Sequence, residues 1–134
     1  MSVNKKISII GAGQAAAYAA SEIRKHDKNS SITIFNEENY LPYERPPLSK
    51  ENITEKKKYD ELSFFSNDYY NTENILIKNT AVEEVDFEKK VLITNDTQFQ
   101  VYDTLLIATG SKNKKLNFGE DNNDINKSVL YLRD

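Results

Sequence analysis

The chain has 134 residues, of which 38% are hydrophobic and 29% charged, as expected for one soluble globular domain. Its formal net charge is −3, so it lacks the basic surface that nucleic-acid binding requires. It contains no cysteine and one histidine, which excludes disulfides, thiolate metal sites and a redox dithiol, and argues against a histidine metal cluster. No apolar run approaches the ~20 residues that cross a membrane. The absence of cysteine fits a reducing compartment, and we expect a cytoplasmic protein.

The N-terminal third predicts a strand–helix–strand unit. Residues 5–10 predict a short strand whose unbroken apolar run suits a parallel strand covered on both faces. A glycine turn at 11–13 follows, and the alanine-rich residues 14–26 favour a helix. Residues 31–36 predict a second strand, which a connection of this length places parallel to the first.

A proline-bearing loop at 39–50 comes next, and Leu48 is expected to begin a short helix. Residues 54–61 are polar and predict a solvated loop or face. Ser66 is a suitable N-cap for a helix over 67–73.

From residue 74 onward the pattern indicates short strands and a small antiparallel β-meander with a glycine-free turn. A buried strand ending in a glycine turn is then predicted, followed by a polar loop and a last strand or helix start. The predicted segments are the strands 75–77, 80–85, 91–94 and 98–102, the turn 95–97, the buried strand 102–110, the loop 111–128 and the last element 129–132.

The glycine turn has the spacing of a dinucleotide-binding fingerprint, and it lies in the right context between a strand and a helix. Gly11 permits the tight turn, and Gly13 lets the backbone approach a pyrophosphate without a Cβ in the way. Ala16 occupies the third position, where a small residue allows close packing of helix on strand. The helix N-terminus then offers N–H groups to phosphate oxygens.

Two acids end the second predicted strand. Glu37 lies at the position where a carboxylate accepts hydrogen bonds from the adenosine ribose hydroxyls and repels a 2′-phosphate. Glu38 is its neighbour and can share this role.

Three further segments carry a resemblance to a known family. They are Pro42-Tyr43-Glu44-Arg45-Pro46-Pro47-Leu48-Ser49-Lys50, Tyr102-Asp103-Thr104-Leu105-Leu106-Ile107-Ala108-Thr109-Gly110-Ser111 and Val129-Leu130-Tyr131-Leu132-Arg133. In this order, and together with the glycine turn, they resemble the FAD-dependent, NADH-linked ferredoxin reductases of the pyridine nucleotide–disulfide oxidoreductase superfamily. The resemblance implies an α/β fold: a Rossmann-like FAD-binding domain with a parallel sheet, a crossover helix and the small antiparallel meander.

The resemblance also implies which residues contact FAD. Backbone groups around the glycine turn hold the pyrophosphate, and Glu37 holds the ribose. A cation near the flavin ring stabilises its anionic reduced state. The fingerprint and the resemblance together predict the cofactor-binding residues Gly11, Gly13, Gln14 and Ala15 at the turn, Glu37 and Glu38 at the ribose, Arg45 at the phosphates or ribityl chain, Lys50 at the flavin ring, Val82 at the adenine, Thr109 and Gly110 beside the FAD, and Arg133 at a further cofactor contact.

The resemblance implies an oxidoreductase that passes electrons from NADH through FAD to a [2Fe–2S] ferredoxin or a rubredoxin. Some relatives carry a redox dithiol where this chain has Pro46 to Lys50. Without cysteine, electrons would leave the flavin directly.

Complete family members have a second dinucleotide domain for NADH and a C-terminal domain. We therefore read residues 1–134 as the N-terminal part of the FAD-binding domain, incomplete relative to the full fold, and expect no turnover by this chain alone. Two alternatives remain open. The chain is a stand-alone module for NAD or another adenine dinucleotide, or a folded fragment without ligand that self-associates through uncovered apolar surface.

Overall fold

The computed structural model describes residues 4–55, 57–115 and 129. Its described part contains a four-stranded parallel sheet, a three-stranded antiparallel meander, and several helices. In chain order the elements are β1 (Lys6–Ile10), α1 (Gln14–His26), β2 (Ser31–Phe35), a 3₁₀ helix (Pro46–Ser49), α2 (Glu51–Glu55), α3 (Tyr59–Leu62), α4 (Asn67–Thr72), β3 (Ile75–Lys78), β4 (Val82–Asp86), β5 (Val91–Thr94), β6 (Phe99–Val101) and β7 (Thr104–Ile107).

The parallel sheet has the strand order β3-β2-β1-β7, so β1 lies inside it with a parallel neighbour on each side. All four strands point the same way, and their carboxyl ends therefore meet at one edge. That edge is where ligands bind in open α/β sheets. The predicted strand–helix–strand unit and its parallel pairing are confirmed.

Two apolar clusters cover the two faces of the sheet. On one face, Ala16 and Ala20 of α1 and Tyr70 of α4 pack on the isoleucines of β1, β2 and β3. On the other, Leu92 of the meander packs with Phe35 and Tyr102. The alternation of side chains along β2 supplies both clusters, because neighbouring strand residues point to opposite faces.

The structure corrects two details of the sequence prediction. Residues 75–77 were expected among the antiparallel strands, but β3 pairs in parallel with β2. The meander therefore consists of β4, β5 and β6 only, in that order. Its glycine-free turn is confirmed, and Thr97 takes the positive φ, 58°, that a glycine would adopt there.

The second correction concerns the strand predicted to be buried at 102–110. Among the described residues β7 pairs only with β1, and Ile107 is 56% exposed. The described residues therefore leave this apolar strand partly exposed. The segment at 54–61 agrees with the predicted solvated loop or face and is partly helical, since α2 ends at Glu55 and α3 begins at Tyr59.

Other predicted elements agree closely with the structure or lie outside it. The helix over 14–26 has the predicted bounds, and the Ser66 hydroxyl accepts the Tyr69 N–H at 3.2 Å as the N-cap of α4. Most of the segments 111–128 and 129–132 lies outside the described residues.

No helix in the described ranges combines the length and the apolar character that crossing a bilayer would demand.

Gly11 allows β1 and β7 to end side by side. Its φ is +100°, and a Cβ at this position would lie 2.3 Å from the carbonyl oxygen of Ala108, at the end of β7. We predict that Gly11→Ala lowers the free energy of unfolding by about 2–4 kcal/mol, because backbone strain adds to a steric overlap that cannot relax easily. Urea denaturation would measure this loss.

Gly13→Ala is the matched control. A Cβ at Gly13 meets no atom within 4 Å. The variant should therefore lose only about 1 kcal/mol or less of the free energy of unfolding, because alanine is a poorer N-cap residue than glycine. Equal stability losses in the two variants would contradict the account of Gly11.

Candidate functional site

A cavity of about 410 Å³ opens at the carboxyl edge of the parallel sheet. This volume is in the range of small-molecule sites, about 300–1,000 Å³. The ends of β1, β2 and β7 form its floor, and the loop after β2 forms one wall. It is lined by Gly11, Ala12, Gly13, Gln14, Ala15, Asn36, Glu37, Glu38, Tyr43, Arg45, Pro46, Phe64, Ala108, Thr109, Gly110 and Ser111.

The glycine turn brings the N-terminus of α1 to the cavity. Gly13 is the N-cap residue, and no side chain caps the helix. The first N–H groups of a helix have no intrahelical partner, and here they lie beside a cavity. The space at the Cβ position of Gly13 is open. This arrangement suits an anion with several oxygens, such as a diphosphate.

Asn36 shapes the end of β2. It is 3% exposed, and its side-chain amide donates to the carbonyl of Tyr40 at 2.7 Å. Its side-chain oxygen accepts the backbone N–H of Glu38 at 3.0 Å. The buried amide thus fixes the turn that carries Glu37 and Glu38 past the strand end.

The two acids differ in their surroundings. Glu38 accepts hydrogen bonds from the hydroxyl of Tyr43, at 2.8 Å, and from the guanidinium of Arg45, with which it also forms an ion pair. Glu37 is exposed at the cavity, and its carboxylate has no hydrogen bond or ion pair with another described residue. Glu37 is therefore the acid available to a ligand's hydroxyl groups.

Tyr43 is buried in the wall of the cavity that the loop after β2 forms. Its side chain is 5% exposed, and burial and the hydrogen bond to Glu38 raise its pKa. The hydroxyl consequently keeps its proton at neutral pH and donates to Glu38. The guanidinium carbon of Arg45 lies 5.2 Å from the centroid of the Tyr43 ring, within cation–π range.

A backbone bridge brings a residue that sequence reasoning missed into the cavity. Tyr43 and Ser63 form an isolated antiparallel bridge, and the N–H of Phe64 donates to the carbonyl of Pro42 at 3.0 Å. Phe64 reaches the cavity for this reason, and no pattern in the sequence indicates the pairing. Tyr43 lies inside the quoted motif, so the resemblance pointed to its segment but not to its role.

Nine of the twelve predicted cofactor-binding residues line the cavity: Gly11, Gly13, Gln14, Ala15, Glu37, Glu38, Arg45, Thr109 and Gly110. Lys50 and Val82 are not among its lining residues. Lys50 is exposed at the end of the 3₁₀ helix, and Val82, the first residue of β4, packs against the apolar cluster of Phe35, Leu92 and Tyr102. Arg133 lies outside the described residues. The roles of all twelve stay predictions.

Strand order and glycine turn together define an α/β domain with the fold of dinucleotide-binding domains. The family model of the pyridine nucleotide-disulphide oxidoreductases matches residues 5–134, so the chain belongs to that family.

Two relatives and one solved structure show which members of this family the chain is similar to. The chain is 32% identical, over 87% of its length, to a probable ferredoxin reductase of Castellaniella defragrans, and 32% identical, over 82%, to a rubredoxin–NAD(+) reductase of Pseudomonas putida. The crystal structure of a ferredoxin reductase from Rhodopseudomonas palustris matches 85% of the chain with a TM-score of 0.81 and 29% identity. These findings confirm the resemblance to ferredoxin reductases and the α/β fold.

The match covers only part of those proteins. The chain spans 29% of the length of both curated relatives and 28% of the solved structure.

The different surroundings of the two acids give a prediction. Glu37→Ala should weaken the binding of an adenine dinucleotide roughly tenfold or more, because hydrogen bonds to a charged group are among the stronger ones. Isothermal titration with FAD would measure the change.

Glu88→Ala is the control, since Glu88 is exposed in the turn after β4, away from the cavity. An unchanged affinity of the Glu37 variant would remove Glu37 from the ribose site.

Proposed function

We propose that this chain is the N-terminal FAD-binding part of a reductase, and that its described residues hold the adenosine diphosphate half of FAD. The observation that carries the proposal is the convergence of the glycine turn and Glu37 on one cavity. A diphosphate and a ribose are joined in one ligand, and these are the groups that a helix N-terminus and a carboxylate recognise.

The residues present fit that half of the cofactor. The open space at Gly13 leaves room for phosphate oxygens against the backbone of Gln14 and Ala15. Arg45 lines the same cavity and can donate N–H groups to a phosphate. Thr109 and Gly110 complete the floor on the side of β7.

The other half of the cofactor has less support. Lys50, expected at the flavin ring, does not line the cavity. Val82, expected at the adenine of the adenosine diphosphate half, does not line it either. Flavin chemistry, when FAD is bound, is the acceptance of a hydride and its release as single electrons. The contribution of the described residues is to bind and orient the adenosine diphosphate end of that cofactor.

In the complete reaction, we propose, NADH supplies the electrons and a [2Fe–2S] ferredoxin or a rubredoxin receives them. The names of the two curated relatives, a ferredoxin reductase and a rubredoxin reductase, support this choice of acceptor. Because the chain spans 29% of their length, we assign the NADH site and the acceptor surface to parts beyond the described residues. This chain alone should not catalyse electron transfer from NADH.

A second candidate is a module that binds NAD or another adenine dinucleotide without flavin. The same observations favour it, since the ADP half is common to NAD and FAD. What favours FAD is the segment 42–50, whose Tyr43 and Arg45 lie at the cavity although a simple NAD domain has no need of that motif.

Ligand titration of the purified chain tests the proposal. FAD should bind with a change in flavin fluorescence anisotropy, and ADP should compete with it. FMN, which lacks the adenosine and one of the two phosphates, should not bind. NADH with an artificial electron acceptor should show no turnover.

Other outcomes would decide against the proposal. A chain that binds NADH and ignores FAD would support the second candidate. A chain that binds neither, and sediments as an oligomer, would support the ligand-free fragment. Robust turnover with NADH would show that the described residues hold more of the flavin site than we assign to them.

A further inference from the structure

The acid pair at the end of β2 and the loop after it carry one more inference, which rests on the proposed function. Tyr43, Glu38 and Arg45 form a chain of contacts along one wall of the cavity. The family resemblance gives Arg45 a cofactor contact, and the place of Glu38 beside Glu37 in the sequence lets it share the ribose. The resemblance gives Tyr43 no role.

We propose that Tyr43 and Glu38 are positioning residues, which hold the guanidinium of Arg45 in place for the diphosphate, and that Glu37 alone binds the ribose.

Tyr43 is a rigid starting point. Its ring packs edge-on against Tyr59, with centroids 5.1 Å apart, and against Tyr40, at 6.4 Å. Tyr40 and Tyr59 stack on each other with centroids 3.9 Å apart and 16° between their planes. The bridge to Ser63 fixes the backbone as well. The hydroxyl of Tyr43 therefore has little freedom to move.

Glu38 transmits this fixed position to Arg45. One carboxylate oxygen accepts the hydroxyl of Tyr43, and the other accepts the guanidinium. Both oxygens are therefore engaged by protein groups, while the Glu37 carboxylate next to them has no such partner among the described residues. The Asn36 turn holds the backbone of Glu38, so both ends of this acid are fixed.

Positioning matters for an arginine because its long side chain loses rotamer freedom when it binds a ligand. A side chain already ordered by Glu38 and by the Tyr43 ring has less to lose, which raises its contribution to affinity. Arg45 is about 30% exposed on its side chain, so it remains accessible from the cavity while it is held.

Two small ligands separate this role from a structural one. ADP carries the diphosphate, whereas adenosine carries only the base and the ribose; both can be measured by competition with FAD. Tyr43→Phe keeps the ring and removes the hydroxyl. It should weaken ADP binding about threefold to tenfold, and leave adenosine binding within about twofold.

Tyr59→Phe is the matched control. It removes a hydroxyl from the same aromatic cluster, but that hydroxyl has no hydrogen bond with a described residue. Both ligands should bind this variant as they bind the unmodified chain. If Tyr43 has only a structural role, Tyr43→Phe should instead lower the affinity for ADP and the affinity for adenosine together.

A double-mutant cycle tests whether Tyr43 acts through Arg45. In an Arg45→Ala background, Tyr43→Phe should have no further effect on ADP affinity, because the positioned group is gone. Additive losses in the cycle would overturn the inference. If Arg45→Ala does not fold, the comparison of Tyr43→Phe with Tyr59→Phe still decides it.

Two further variants test which of Glu37 and Glu38 binds the ribose. Glu37→Gln should weaken adenosine binding, whereas Glu38→Gln should leave it unchanged. Equal losses in adenosine affinity would return Glu38 to the ribose site and overturn the inference. Failure of the unmodified chain to bind FAD or ADP would overturn the proposed function itself, which distinguishes the two failures.

Discussion

The close approach of Gly11 to the carbonyl of Ala108 is the constraint on which the rest of the structure depends. The N–H of Ala108 donates to the carbonyl of Ile10 at 2.8 Å, so β7 stays paired with β1 up to the glycine turn. Any side chain at position 11 would occupy the space of that Ala108 carbonyl oxygen. The two strands can end side by side only because residue 11 is glycine.

This contact joins two segments that are almost a hundred residues apart in the sequence. The turn after β1 carries the helix N-terminus, and the chain after β7 carries Thr109 and Gly110. Because parallel strands end at the same edge of the sheet, both segments reach one cavity. The third segment, the proline-bearing loop, reaches the cavity differently. Backbone hydrogen bonds to the 62–64 region hold this loop in place as one wall of the cavity.

The sequence allows some of these features to be predicted and conceals others. The β1–α1–β2 unit was predictable because its apolar pattern and its glycine turn are local signals. The place of β3 was not, since four apolar residues fit a parallel or an antiparallel strand equally well. The exposure of β7 was not predictable either, because burial depends on what lies beside a strand and not on its own residues. Phe64 lies at the cavity because of a bridge between segments distant in the sequence, and no periodic pattern of residues indicates such a bridge.

The adjacent acids show the same limit at the scale of one side chain. Glu37 and Glu38 are chemically equal in the sequence, and only the turn fixed by the buried Asn36 separates them, placing one beside Arg45 and leaving the other at the cavity. An arginine near the ribose site can accommodate a 2′-phosphate in related folds. Here the guanidinium is paired with Glu38, and on the proposed function it serves the diphosphate and not the ribose. The charge of Glu37 then dominates beside the proposed ribose position, and on the proposed function this favours a free 2′-hydroxyl, as FAD has, over a phosphorylated one.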